Sequence, residues 1–502
     1  MISLKAMKNQ RTGGKGYFPD LTDRVRIDTI LVMVLIMGTL LSTVSLLAAE
    51  KITTSQDQKG IVVTIYNENL ALIKDSRNVE LSEKANQLAW REVSALIRPE
   101  TALLRNQTSR SDFHVLEQNF DFDLLTPQKL LEKHVGKEIT VIHTNPATGI
   151  ESNEKATVLS TNEGIVLKYS NRIETGVPGR VVFSSVPENL RDKPTLLLML
   201  HSPEAGKHEL ELSYLTGGLS WRADYVAALN EDDSRLDLNG LVTLTNQSGV
   251  TYPLAKLQLV AGDVNRIQSE QRIGRKMVAM SAEMADVAQM KEESFFEYHL
   301  YTLQRPTTLA ENQTKQVALM SASQVPVNKV FLLQGADYYY SGKYGVLGQK
   351  LKTSVLISFD NKGEQLGIPL PKGIVRVYKK DTQGHSQFIG EDQIDHTPKN
   401  EQIRLKLGNA FDITADKVQT DFQQIAGSMH QTNIFETAYQ ITIRNAKKES
   451  VVVQVQEPIP GEWLLISESL EHKKLSANVV EWKIPVSAEG EATLTYRVRV
   501  KY

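Results

Sequence analysis

The sequence predicts a mainly β protein, and two observations carry that expectation. At its C-terminal end Leu494, Tyr496, Val498, Val500 and Tyr502 alternate with Thr493, Thr495, Arg497, Arg499 and Lys501, giving an extended strand one apolar and one polar face. A helix would scatter both sets. The same period recurs at Ile403, Leu405 and Leu407, at Tyr439, Ile441 and Ile443, and at Leu210, Leu212 and Tyr214, with turn signals such as Asn361-Lys362-Gly363 and Pro460-Gly461 between runs. Half-buried antiparallel strands at this spacing imply tandem antiparallel β-sandwich (immunoglobulin-like) units, accompanied by a small SH3-like or Sm-like barrel and a short helical insertion.

A chain of 502 residues is long enough for two to four packed units. With 41% hydrophobic and 23% charged residues it has the make-up of a globular protein, not of a disordered or polytopic membrane chain. The absence of cysteine excludes disulfides, thiolate catalysis, Cys-based metal sites and a lipid-modified N-terminal cysteine.

Along the chain, residues 1–49 read as a leader. Arg24 and Arg26 precede the uncharged run from Ile30 to Ala49, which small residues close before Glu50. That order fits a cleaved secretory signal; the run is also about the ~20 residues a helix needs to span a bilayer, which fits an N-terminal anchor at 30–49. Either way everything after Glu50 is expected outside the cytoplasm, in a bacterial periplasm or at the cell surface. Removing residues 1–49, with six Lys/Arg and three Asp/Glu, changes the formal charge from -2 to -5. A mildly acidic chain lacks the cationic footprint of a nucleic-acid binder.

Residues 50–124 form an N-terminal β region, followed at 125–190 by a different unit. There Thr126-Pro127 places a hydroxyl cap before a proline at the first helical position, and Gly136 ends the helix. Short strands at Glu138–His143, Ala156–Ser160, Gly164–Tyr169 and Arg180–Phe183 then look like the small barrels, or like a decorated pair of hairpins. Sandwich strands occupy 191–275. Residues 276–293 break the rhythm: Met277, Met280, Met284, Val287 and Met290 fall on one helical stripe, as an adaptable partner groove or as a partly ordered insertion. A C-terminal sandwich region covers 294–502. A weak internal duplication is visible where Val242-Thr243-Leu244-Thr245-Asn246 and Ile441-Thr442-Ile443-Arg444-Asn445 each precede a turn and another strand.

The ten histidines are spread without a short metal-binding cluster. Glu297 and His299, two apart in an aromatic run, would share a strand face and could offer two metal or proton-transfer groups. Ser220 lacks the second glycine of a nucleophile elbow, neither phosphate-loop motif occurs, and Arg235 stands where a calcium loop through Asp237 and Asn239 needs an acid. No catalytic residue, metal ligand or cofactor is therefore assigned. Two aromatic clusters remain. Trp221 suits a core anchor, with Arg222 and Asp224 paired on one strand face. Tyr338, Tyr339 and Tyr340, with Tyr344 beyond Ser341-Gly342-Lys343, form a glycine-punctuated loop suited to binding a peptide or glycan, or to capping a sandwich.

The run Tyr214-Leu215-Thr216-Gly217-Gly218-Leu219-Ser220-Trp221-Arg222-Ala223-Asp224-Tyr225 resembles the bacterial domain-of-unknown-function 4139 family, as do Leu238-Asn239-Gly240 and Leu259-Val260-Ala261-Gly262-Asp263-Val264. Gly373 to Tyr378, Gly390-Glu391-Asp392 and Glu462-Trp463 fit the same pattern, so the likeness covers residues 195–502. The resemblance implies an exported or envelope-associated bacterial protein related to mucoidy-inhibitor-like proteins, and carries over no catalytic residue. This chain departs from those longer relatives in lacking a long coiled-coil insertion. The expected function is a non-enzymatic envelope scaffold or binding protein presenting loops to a protein or polysaccharide; the alternative is an envelope hydrolase assembled from dispersed His, Asp and Glu.

Overall fold

The computed structural model describes residues 50–502 apart from 68, 110–112, 122, 178, 188–189, 263–289 and 427–432. The predicted leader at 1–49 and the stretch 276–289 of the predicted methionine stripe thus lie outside the described residues. Among the described residues no helix is long and apolar enough to cross a membrane.

The chain begins with β1 (Lys51–Thr53), β2 (Gln58–Tyr66), β3 (Leu70–Leu81), β4 (Lys84–Arg91), β5 (Leu103–Asn106) and β6 (His114–Asp121). Helix α1 (Pro127–Lys133) follows, and its cap is the one the sequence announces: the Thr126 hydroxyl accepts from the Lys129 amide at 3.1 Å. Next come β7 (Glu138–Thr144), β8 (Glu151–Ser160), β9 (Val166–Lys168), β10 (Ile173–Thr175) and β11 (Arg180–Val182). They form one antiparallel sheet in the order β10-β9-β8-β7-β11 over a small core of Leu131, Ile139, Val141, Val158 and Leu167. Among the described residues no ladder joins β10 to β11, so the expected barrel is an open sheet with a helix beside it.

The remaining strands are β12 (Thr195–Ser202), β13 (Gly206–Thr216), β14 (Leu219–Leu229), β15 (Arg235–Asn246), β16 (Tyr252–Ala261), β17 (Lys291–Phe295), β18 (Tyr298–Thr302), β19 (Thr307–Leu309) and β20 (Gln313–Pro326). Then come β21 (Asn328–Gln334), β22 (Val346–Asp360), β23 (Gly373–Lys380), β24 (Ser386–Ile394), β25 (Gln402–Ala426) and β26 (Ile434–Asn445). The last are β27 (Val451–Pro458), β28 (Glu462–Glu468), β29 (Lys473–Ser476), β30 (Val479–Val486) and β31 (Glu491–Lys501). Strand β17 corrects the end of the predicted insertion. Met290 is buried in the main core, and Lys291 to Glu293 pair antiparallel with β18 instead of continuing a helix.

One core joins residues from 61–104 to residues from 196–261, so the stretches set apart in the sequence as 50–124 and 191–275 pack together. A second core lies entirely between Phe331 and Val500.

The strand path is duplicated. In an eight-stranded sheet β18-β16-β2-β3-β13 are neighbours, and in a nine-stranded sheet β30-β27-β21-β22-β25 follow the same order. In both, the opening strand pairs antiparallel with its successor and parallel with a strand that arrives much later: β2 with β16, and β21 with β27. The companion ladder β14·β15·β20 is matched by β25·β26·β31, all antiparallel. The first copy breaks the long strand at Gly217-Gly218. Gly218 has φ +79, and a Cβ there would lie 2.6 Å from Ser248 Cα, so a side chain would block the passage from β13 in one sheet to β14 in the next.

Asn246 and Asn445, the residues that end the two matching pentapeptides, do the same job in each copy. Asn246 Nδ2 donates to Val250 O at 2.9 Å and to Leu309 O at 3.1 Å, while its Oδ1 accepts from the Ser248 amide. Asn445 Nδ2 donates to Glu449 O at 2.8 Å and to Ser487 O at 2.9 Å, while its Oδ1 accepts from the Lys447 amide. Each side chain ties its own turn to the one leading into β20 or β31. Asn445→Ala is expected to cost about 1–3 kcal/mol, because the buried amide that ties the two turns together is lost. Denaturant unfolding with an unshifted midpoint would remove this role.

Candidate functional site

The tyrosine loop grows out of β21. Gly335 donates its amide to Gln456 O at 2.8 Å, and Asp337–Tyr340 then turn as a single 3₁₀ segment before Gly342 and Gly345 release the chain into β22. This compact turn sorts the four rings. Tyr340 is fully buried and Tyr339 nearly so, while Tyr338 is 54% and Tyr344 42% exposed.

Beneath the loop lies a charge pair that the sequence reading did not single out. Lys417 of β25 and Glu457 of β27 are both buried, and Nζ meets the two carboxylate oxygens at 2.6 Å each. The Tyr340 hydroxyl donates to Glu457 Oε2 at 3.0 Å and lies 3.0 Å from the Tyr496 hydroxyl. Lys417 Nζ also sits over the Tyr339 ring at 4.2 Å and faces Tyr439 at 5.2 Å. Burial pushes the Lys417 ammonium below its ordinary range, opposed by Glu457, and burial pushes the Tyr340 and Tyr496 phenols well above theirs. A Cβ on Gly335 would fall 2.1 Å from Glu457 Oε2, so that residue has to be glycine for the carboxylate to fit.

Side chains also fix the loop backbone. The Tyr439 hydroxyl donates to Tyr339 O at 2.6 Å, Gln419 Nε2 donates to Gly342 O at 3.0 Å, and the Tyr344 amide donates to Gln419 Oε1 at 2.6 Å. Clamped in this way, Tyr338 and Tyr344 meet edge to face, 5.9 Å between centroids. Tyr502 adjoins them: its phenol is raised first by burial and then by the neighbouring Asp337 and Tyr344. It stands 5.8 Å from Phe435, which stacks on Phe422 at 5.5 Å. The exposed rings therefore form a wider aromatic surface than the tyrosine run alone indicates.

The other sequence candidates fall elsewhere. Glu297 does not share a strand face with His299: Phe296 has φ +57 and forms the turn between β17 and β18, and His299 Nδ1 lies 2.8 Å from Glu292 Oε1 instead. Asp237 and Asn239 lie within β15, where they bind the Gln324 amide and the Ser321 hydroxyl at 2.8 Å, a strand and not an ion loop. Ser220 is in β14 opposite Thr245, and Trp221 is buried in the core. Among the described residues no group of three or more His, Asp or Glu is placed to hold a metal ion.

The family-like residues tie together the strands of the sheet β20-β15-β14-β23-β24 and join its edge to β25. Asp224 accepts from Arg222 Nε at 3.1 Å, from the Thr243 hydroxyl at 2.6 Å and from Arg376 Nη1 at 3.0 Å; Arg376 continues to Glu391 at 3.2 Å. Burial would raise the Asp224 carboxyl, but these donors together hold it below the usual range. A Cβ on Gly373 would lie 2.4 Å from Ala223 O, and one on Gly390 2.4 Å from Leu407 O, so the two glycines admit close backbone contact on either side of this ladder. Asp392 Oδ2 takes the Lys406 amide at 2.7 Å, closing β24 onto β25.

Residues 210–502 match the family model described as Domain of unknown function (DUF4139). No curated protein matches the chain.

Proposed function

The chain belongs to the DUF4139 family, and from that premise we propose that it is a non-enzymatic, exported cell-envelope binding protein whose tyrosine loop receives a polysaccharide. The observation that supports this reading is the division of the loop. A buried ion pair and three buried hydroxyls hold its inner half, while Tyr338 and Tyr344 face solvent beside Tyr502. Rings fixed in advance lose little freedom on binding, which is what a weakly adhesive ligand needs. Tyrosine gives the apolar faces of sugar rings a flat surface and offers a hydroxyl to their polar edges; Asp337 adds an acceptor at the rim. The leader would carry the protein to the envelope, where such chains are abundant.

The test is retention of the protein on immobilised envelope polysaccharide, with and without Tyr338→Ala/Tyr344→Ala. Loss of both rings is expected to weaken binding at least tenfold, about 1.4 kcal/mol, with the melting temperature unchanged because neither ring is in the core. Equal retention of the double variant would remove the loop from the reading. Capture of an envelope protein instead, lost in the same variant, would move the site to a protein partner. Intact mass of the exported product distinguishes a cleaved leader from an anchor.

A further inference from the structure

Away from the tyrosine loop, the hairpin between β14 and β15 carries Asp233 in a left-handed conformation, φ +58, fixed by Asn230 Oδ1 accepting from the Ser234 and Arg235 amides at 3.0 Å. That conformation aims one carboxylate at two lysines from different strands. Lys329 Nζ of β21 meets Oδ2 at 2.7 Å, and Lys379 Nζ of β23 bonds Oδ1. The three groups border a cavity of about 280 Å³ whose other walls include Leu229, Val355, Ile357, Ile389 and Leu407. It is close to the lower end of the roughly 300–1,000 Å³ typical of small-molecule sites. Ile389, 37% exposed, stands at its accessible side, and the close passage of Gly390 over Leu407 O sets β24 and β25 near enough to form that wall.

The charge does not balance. Asp233, Lys329 and Lys379 are the titratable residues in this lining, so the cavity holds one more positive than negative charge beside an apolar wall. Two ammonium groups sharing one carboxylate each keep donor capacity for another acceptor. A shape with a cationic end and an aliphatic body is complementary to an anion with an aliphatic tail. We propose that this cavity is a binding site for a small amphipathic anion, an alkyl carboxylate or alkyl phosphate, whose head group bridges Lys329 and Lys379 and whose tail lies along Ile357, Ile389 and Leu407.

Equilibrium dialysis of the full chain with octanoate, octyl phosphate, acetate and octyl glucoside tests it. Saturable binding of octanoate or octyl phosphate is expected, and the tighter of the two identifies the head group; acetate and the uncharged glucoside should bind at least tenfold more weakly. Lys379→Gln leaves the Lys329–Asp233 pair intact and removes the surplus charge, so anion binding should fall at least tenfold. Asp233→Asn keeps a residue type that tolerates the left-handed turn and frees both lysines, so binding should tighten severalfold, a gain that misfolding cannot imitate. The site is overturned if neither octyl anion saturates, if octyl glucoside or acetate binds as tightly, or if the two variants fail to shift affinity in opposite directions.

Discussion

Glu457→Ala lowers the unfolding free energy by about 3–5 kcal/mol, the range seen when one member of a buried ion pair is removed and the other charge is stranded. Lys417 is 2% exposed, and its two closest oxygen contacts, at 2.6 Å, are both from Glu457. The aromatic faces of Tyr339 and Tyr439 still attract the ammonium, but they replace neither hydrogen bond. Tyr340 loses its acceptor in the same step, so the tyrosine loop should loosen along with the core. The paired change Lys417→Met/Glu457→Gln should recover most of the loss, since no unpaired charge is left inside. Chemical denaturation of the three proteins decides the matter; a single variant as stable as the parent would show that the pair is not what holds this end of the sandwich.

The second large effect is alkaline unfolding. Tyr214, Tyr225, Tyr340 and Tyr496 are buried, and burial pushes each phenol well above 10; Tyr252 is pushed up to about 12. In the unfolded chain these phenols ionise near pH 10. Above that pH the folded state therefore binds more protons than the unfolded one, so stability falls as pH rises, by about 1.4 kcal/mol per pH unit for each such group. Below pH 10 both states hold these protons and the contribution is constant. Lys417 has the opposite sign, because its lowered pKa makes the unfolded chain the better proton binder below the ordinary lysine value, but it is one group against five. The tyrosinate absorbance contributed by these five rings should rise in a single step together with loss of β-sheet circular dichroism. Gradual titration of these rings with the sheets intact would contradict their burial.

What the sequence makes legible is what repeats locally. Leu494, Tyr496, Val498 and Val500 alternate as read and are all buried, and the Thr126-Pro127 cap starts the helix as read. Both depend on neighbours within a few residues. The ion pair was also signalled, in a weaker way: Val451, Val453 and Val455 alternate into Glu457, and Ile413 and Ala415 into Lys417, so each strand places a charge on its apolar side. The sequence does not show that these two charges meet, since 40 residues of chain and two intervening strands, β22 and β21, separate them. The Asp233 cavity was invisible for the same reason, with its lysines 96 and 146 residues away. Glu297 and His299 misled because an aromatic run resembles a strand, and nothing local reveals that Phe296 takes a turn conformation. The tyrosine run was visible as a motif, whereas its sorting into buried and exposed rings required the tertiary partners of Tyr339 and Tyr340.

The parallel pairing of β2 with β16 sets an order of events during synthesis. Val62 cannot meet Lys256 until nearly two hundred further residues have emerged, and a shorter delay of the same kind recurs when Phe331 waits for Val453. Throughout each wait an apolar ribbon presents a bare rim of amides and carbonyls, the geometry that invites stray strands. A nascent chain built this way is open to stray pairing on both occasions, first along the early ribbon and again along its later counterpart.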